Sequence, residues 1–427
     1  MPHVVPQESL MHLSQLRFAK YKIFDASQSL DVRPLTILIG RNSSGKSAIV
    51  RLPLLFADAV SPEATSPVHL GRLRGLGVDL GGAFTDLIHN RSSHGALDVG
   101  FTISDGSNSV GIDAVLQNFD EHKLQLVKRW KLSASGHADV FIEWSGSDPL
   151  LDSTKYTLSH GDTKLDIAVT FAGLIPTSDL PSVPQWQELR LSLRSAFQRI
   201  GYLGPFRVSP ERHYGYPGAS PTHVGVGGRD APALMAADAL RFESVVSKAV
   251  GTWYKEHLGG GALEVDREKE SFSLVIRSSD GTSTSNIVDA GTGLSQALPI
   301  VVQRLFDQIT DKKTSLEITE QPELHLHPGA HGDLADLYVD SIRASAGVFL
   351  IETHSENFVL RVRRRIAEGL PAKSVRLYWI DPEAATDSCI LPIDIEQDGS
   401  VSHWPTRVFS EDLDELIAIR GAARTHQ

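Results

Sequence analysis

A chain of 427 residues is longer than one ordinary domain, so one large split domain or two to three smaller ones are expected, with room for a sizeable core. Its 41% hydrophobic and 22% charged content is that of a folded globular protein and excludes extensive disorder. A net charge of −11 excludes a generally basic surface, so any contact with DNA or RNA has to come from a local basic patch.

The single cysteine, Cys389, excludes an intramolecular disulfide, fits a reducing compartment and reads as a half-buried strand residue. Met1 to Lys20 lacks the continuous apolar core of a signal peptide. No uncharged apolar run approaches the roughly 18 residues of a membrane span. A cytoplasmic protein with no membrane contact is expected.

In chain order, Leu16 to Ile39 reads as short strands, with Phe18, Tyr21, Ile23 and Phe24 in a first hairpin. The apolar run Leu35 to Ile39 then feeds Gly40-Arg41-Asn42-Ser43-Ser44-Gly45-Lys46-Ser47, which fits G-x-x-x-x-G-K-[ST]. Glycines there let the backbone curl so that successive N–H groups point at phosphate oxygens. Lys46 would reach the β/γ-phosphates of a bound nucleotide, and the Ser47 hydroxyl would help hold Mg²⁺. A Gly/Ser surface turn is the bland alternative, but a strand entering the loop is the context a phosphate site needs. Ala48 to Leu52 should continue as a helix, with a kink or early break at Pro53.

Strand-like alternation resumes at Val99 to Ile103 and Val110 to Leu116. Further segments at Leu126 to Trp130, Val140 to Trp144 and Leu165 to Phe171 are separated by Gly/Ser/Asp turns, which predicts an antiparallel sheet. After a proline-rich connector at Pro176 to Pro184, helical spacing covers Trp186 to Ile200 and again Leu234 to His257. Between them, Tyr202 to Gly228 reads as an ordered loop. A hairpin is expected over Leu263 to Asn286, a strand pair at Val375 to Ile380 and Cys389 to Ile395, and a charged helix over Ser410 to Arg420. No repeat, heptad array or long coiled coil is visible.

A phosphate loop needs a carboxylate on a neighbouring strand to anchor the Mg²⁺ shell, and Leu316 to Pro328, containing Glu320-Gln321-Pro322-Glu323-Leu324-His325-Leu326-His327-Pro328, is the candidate. Glu317 and Thr319 make it less apolar than a fully buried parallel strand should be. A second strand, Gly347 to Ile351, delivers Glu352-Thr353-His354-Ser355 at its carboxyl end, the edge where open α/β sheets bind ligands.

The loop, Asp289-Ala290-Gly291-Thr292-Gly293-Leu294-Ser295-Gln296, the EQPELHLHP segment and ETHS occur in an order that resembles the ABC-type ATPase heads of the RecF, SMC and overcoming-lysogenisation-defect class. The nearest likeness is to small stand-alone ATPases that accompany bacterial anti-phage effectors. The region from about Val110 to Val288 is resembled only loosely. The resemblance implies an α/β fold, a P-loop ATPase head with a mixed sheet, an antiparallel β region and a helical lobe. One nucleotide-binding lobe is expected from 1–110 with 286–400, a middle lobe from 111–285 and a helical tail over 401–427. It also implies that Glu320 takes the Mg²⁺-anchoring place, that His354 is the switch histidine near the γ-phosphate, and that Gly291, Gly293, Ser295 and Gln296 cap the nucleotide of an opposite subunit. An ATP-dependent homodimer follows from that geometry.

One position departs from the family: Gln321 stands where the water-activating Glu is usual. An amide cannot accept a proton, and loss of a general base costs about 10²–10⁴ in rate. Either Glu323 serves as base, or hydrolysis is slow and ATP mainly locks a dimer.

Three further sets carry two readings each. His325, His327 and His331 suggest a metal, but no third ligand set at zinc spacing accompanies them, and packing with loop hydrogen bonds explains them as well. Arg361, Arg363, Arg364 and Arg365 suit either nucleic-acid phosphates or a solvated helix face. Arg207 suits a γ-phosphate role or a structural salt bridge. The functional expectation is a sensor or scaffold ATPase working with an effector encoded nearby; the alternative is a RecF-like protein that clamps DNA directly.

Overall fold

Leu35–Gly40 is apolar on both faces, and a strand of that kind belongs in the interior of a sheet covered on both sides. The computed structural model, which describes residues 11–180, 183, 185–310, 315–345, 347–384, 388–405, 409, 415 and 419, places it there. A six-stranded sheet runs in the order Ile200–Leu203, Leu316–Glu320, Val348–Glu352, Leu35–Gly40, Val375–Ile380, Ile390–Ile393. The first five strands are parallel and the last is antiparallel. Alternate residues serve two cores. Leu38, Ile318 and Leu350 face the helix Lys46–Val60, whereas Leu35, Ile37, Ile39, Phe349 and Ile351 face the helices Thr292–Thr310, Pro328–Arg343 and Glu356–Ala367.

A second, eight-stranded antiparallel sheet gathers Gln28–Asp31, His12–Ala19, Ala96–Ser104, Ser109–Phe119, Leu124–Ala134, Val140–Trp144, Lys155–His160 and Thr163–Ala168. Its inner face shares the core of Lys46–Val60. The fold is therefore α/β, with a mixed sheet, an antiparallel sheet and a helical layer. Among the described residues the longest helix has 19 residues, too short for a coiled-coil arm, and no helix is long and apolar enough to cross a membrane.

Several local expectations change. Lys46–Val60 continues through Pro53 without a break. The lost hydrogen bond and ring clash cost about 3 kcal/mol, but Ile49, Val50, Leu52, Leu55 and Phe56 are buried along the same helix and offset it. The helix expected over Leu234 to His257 is two, Ala231–Arg241 and Val245–His257. Glu243 and Ser244 take left-handed φ of 59° and 61° between them, and the Asp238 carboxylate accepts from Ser247 N at 2.7 Å to start the second helix. Strand Ser109–Phe119 runs through position 110, and Ile200–Leu203, from the expected middle lobe, edges the six-stranded sheet; the sheets thus do not divide at 110 and 285. The helix expected over 410–420 lies outside the described residues, apart from 415 and 419.

Leu316–Glu320 is fully buried although Glu317 and Thr319 are polar, because their partners are buried with them. Arg304 and Asp307, one helical turn apart on Thr292–Thr310, form an ion pair at 2.6 Å, and Arg304 also pairs with Glu317. The Arg304 guanidinium lies 4.7 Å over the Phe349 ring. Gln303 donates to Asp307 at 2.8 Å and accepts from Val224 N at 2.8 Å, tying the 202–228 loop to the same cluster.

His223, next along that loop, accepts from Gly225 N through Nδ1 at 2.9 Å, so its proton sits on Nε2, which has no hydrogen-bond partner. Burial, with the Arg304 charge adding to it, pushes its pKa down from 6.5 to about 4. Between those values the unfolded chain binds more protons than the folded one, so stability falls as pH drops through the window. The contribution is about 3 kcal/mol over the whole interval. Urea midpoints at pH 7 and pH 4.5 are expected to differ less for His223→Asn than for the wild type; equal differences would remove His223 from the acid response.

Candidate functional site

The carboxyl edge of the six-stranded sheet is where most of the expected site residues meet. After Gly40 the chain turns through Arg41, Asn42 and Ser43, exposed at the tip, and Ser44, which is buried with an unpartnered hydroxyl. Gly45 sits at φ 91° and closes the turn; a Cβ there would lie 2.6 Å from Phe24 Cζ, so the ring packs against the loop only because the side chain is missing. Buried Lys46 donates to Gly40 O at 2.9 Å and Arg41 O at 2.6 Å, and desolvation lowers its pKa against the opposing pull of Glu352.

Two carboxylates stand beside this loop. Glu320 and Glu352 are register partners on adjacent parallel strands, and Glu352 in turn pairs with Leu38. The Ser47 hydroxyl donates to Glu352 Oε2 at 2.7 Å. Glu320 is instead gripped by Arg51, with Nε to Oε1 at 2.6 Å and Nη2 to Oε2 at 2.7 Å, and the Tyr202 hydroxyl adds a third bond at 2.8 Å. Burial raises the Glu352 pKa; the Ser47 bond opposes it, and the Glu320 charge adds to it.

Gln321 leaves the strand at a left-handed φ of 46° and donates its N–H to Glu352 O at 2.7 Å. Glu323 is buried below it. Its Oε1 accepts from His354 N at 2.7 Å while Oε2 has no partner, and burial pushes its carboxyl up against the pull of that N–H. The His354 side chain is exposed, and desolvation of part of the ring, then the Lys46 charge, lower its pKa. The other histidines do separate jobs. His327 accepts from Gly329 N at 3.1 Å to cap Pro328–Arg343, His331 bridges Ser355 Oγ at 2.8 Å and Leu326 O at 3.1 Å, and His325 is exposed. Among the described residues no group of His, Cys, Asp and Glu could hold a metal as a cluster.

The Gly291 to Gln296 segment forms the start of Thr292–Thr310. Gly291 and Thr292 are exposed. Gly293 is pressed against the chain after Glu323: a Cβ would lie 2.6 Å from His325 O. Ser295 and Gln296 point inward, both buried, and the Ser295 hydroxyl donates to Thr292 O at 2.9 Å. Each keeps only 7% of its surface exposed.

Arg207 fits neither of its expected readings in simple form. It is buried, and its guanidinium donates to three carbonyls, Gln296 O at 3.3 Å, Glu320 O at 3.2 Å and Gln321 O at 3.1 Å. It thus ties the Gly291 to Gln296 helix to the turn after Glu320. The arginines after ETHS are spent within the chain. Arg361 pairs with Asp333 and Asp336, Arg365 with Asp336 and Glu368, and Arg364 with Glu368. Arg363 donates to Gly399 O at 2.9 Å and stacks over Trp404.

Sequence reasoning passed over Arg51, Tyr202 and the carboxylate of Glu352. Arg51 carried a signal: four residues after Ser47, it lies on the same helix face and is aimed at the same sheet edge.

No protein-family model matches the chain, and no curated protein matches it. Among solved structures it is similar to an SMC head bound to the C-terminal winged-helix domain of ScpA (11% identity over 91% of this chain and 96% of that one, TM-score 0.47). It is also similar to the SMC head domain from Thermotoga maritima (11% identity, 90% and 100% covered, TM-score 0.41). A third is the Pyrococcus furiosus Smc head with an extended coiled coil bound to the C-terminal domain of ScpA (9% identity, 96% and 100% covered, TM-score 0.45).

Removing the Arg207 guanidinium takes a donor from the Gln296, Glu320 and Gln321 carbonyls, the last of which keeps its bond from Leu324 N at 3.1 Å. Arg207→Met is expected to cost about 1–3 kcal/mol and to speed hydrogen exchange at the amides of Gln321, Glu323 and Leu324. Unchanged thermal midpoint and exchange would show that Arg207 does not hold this turn.

Proposed function

We propose that the chain is an ABC-type ATPase head that binds ATP with Mg²⁺ in the Gly40–Ser47 loop and hydrolyses it slowly. The observation that carries this reading is the convergence of Lys46, Ser47, a strand-end carboxylate and His354 at one carboxyl sheet edge. The residues present suit a triphosphate. Ser44 offers a buried unpartnered hydroxyl, Gly45 keeps the loop open to close approach, and Lys46 is held at the loop mouth by carbonyls that phosphate oxygens can replace. The amino end of Lys46–Val60 favours anions. Mg²⁺ bound there neutralises phosphate charge. Ser47 and one strand-end carboxylate are the groups placed to hold it.

Slow turnover rests on two residues. Gln321 offers no base, and Glu323 is buried with one oxygen committed to His354 N. Gln321→Glu is therefore expected to raise the steady-state rate by about 10² or more, with Glu323→Gln changing it little. Brisk wild-type turnover abolished only by Glu323→Gln would sink the slow-hydrolysis reading and make Glu323 the base.

A second copy completes the site in this reading. The exposed Gly291–Thr292 turn, backed by Gly293, presents a helix N-terminus to the nucleotide of the other subunit. Ser295 and Gln296 support it from inside. On the resemblance read from the sequence, we assign the dimer a sensor or scaffold role in an anti-phage complex whose effector is a separate chain. Pairing of Arg361, Arg364 and Arg365 with Asp333, Asp336 and Glu368 weighs against direct DNA clamping through that helix. Native mass measurement after co-expression with adjacent genes, with and without ATP, is expected to show an ATP-stabilised dimer carrying a second protein. Salt-sensitive DNA binding by the lone chain would favour the clamping alternative.

A further inference from the structure

We infer that Glu352, and not Glu320, is the carboxylate that works with Ser47 to hold the divalent cation of the bound nucleotide. The inference rests on the ATP reading above and assigns its metal site. Three observations converge on it. The first is reach: Val348–Glu352 is hydrogen-bonded directly to Leu35–Gly40, while Leu316–Glu320 lies one strand further out, about 4.8 Å more in the sheet.

The second is contact. Ser47 already gives its hydroxyl proton to Glu352 Oε2 at 2.7 Å. A hydroxyl that donates to a carboxylate keeps its lone pairs for a cation, so the pair presents one neutral and one anionic oxygen side by side. Mg²⁺ is usually held by only one or two protein carboxylates together with substrate phosphates and water.

The third is competition. Both oxygens of Glu320 are engaged by the Arg51 fork, and Tyr202 adds a third donor. Bidentate arginine–carboxylate pairs are among the strong hydrogen-bonded contacts. A cation at Glu320 would have to displace a guanidinium whose charge already cancels that carboxylate. Glu320 then has a structural part: with Arg51 and Tyr202 its side chain clamps the helix after the loop to the sheet.

The test measures affinity for a fluorescent N-methylanthraniloyl ATP analogue in Mg²⁺ and in EDTA, with Mn²⁺ binding followed directly by electron paramagnetic resonance. Wild-type chain is expected to bind the analogue more tightly with Mg²⁺. Glu352→Gln should lose that gain and weaken Mn²⁺ binding about tenfold or more while keeping the EDTA affinity. Glu320→Gln should keep the gain. Should it fail to fold with Arg51 left alone, the double variant Arg51→Met/Glu320→Met removes both charges together and takes its place. Loss of the Mg²⁺ gain in the Glu320 variant, with retention in Glu352→Gln, would overturn the assignment, as would a wild type that binds equally with and without Mg²⁺. Failure of the wild type to bind the analogue under either condition would overturn the ATP reading itself and this assignment with it.

Discussion

Ser47 and Glu352 touch across a sequence separation of 305, and the parallel ladder between Leu35–Gly40 and Val348–Glu352 is what brings them together. Both strands are buried on both faces, so their register is fixed by two cores at once: a slip of one residue would exchange the faces of Ile37 and Leu38. That constraint passes outward. Glu320 is placed by its pairing with Glu352, Gln321 by its bond to Glu352 O, and His354 by the strand that ends two residues before it. The site is the edge of a ladder, and its precision is that of the sheet.

Buried arginines extend the same order into the helical layer. Arg304 locks Thr292–Thr310 against Leu316–Glu320 through Glu317 and Asp307, and Arg207 crosses from the helix carbonyl of Gln296 to the carbonyls of Glu320 and Gln321. Buried charges of this kind are poor sources of net stability, but removing one partner strands the other. Their effect here is geometric: they tie the helix that begins at the exposed Gly291–Thr292 turn to the strand that ends in Glu320.

The sequence announced the site in pieces. The Gly40 to Ser47 spacing, the strand before it and the two later strands are local signals, and a fully buried parallel strand is nearly unambiguous when it is as apolar as Leu35 to Ile39. Glu317 blurred the next strand because its partner Arg304 sits on another helix, a contact no periodicity reports. The break at Glu243–Ser244 was likewise hidden, since neither residue is a glycine and the positive φ is sustained by Asp238 capping the following helix. Pro53 misled in the opposite direction, because tertiary burial outweighed a local rule. Which of two neighbouring acids faces Ser47 was beyond any pattern: it depends on strand order and on the side chain that Arg51 takes.

The position of Leu35–Gly40 between Val348–Glu352 and Val375–Ile380 has a consequence for how the chain is made. The antiparallel sheet uses only residues 12–168 and is built largely from neighbours in sequence, so it can assemble early on the ribosome and cover one face of Lys46–Val60. Leu35–Gly40 itself has no ladder partner until synthesis passes residue 352. A bare apolar strand must wait through most of translation. In a chain that stops after residue 168 but short of residue 348 every strand of the outer sheet is present while both ladder partners of Leu35–Gly40 are missing, so Ser47 and Glu352 cannot meet.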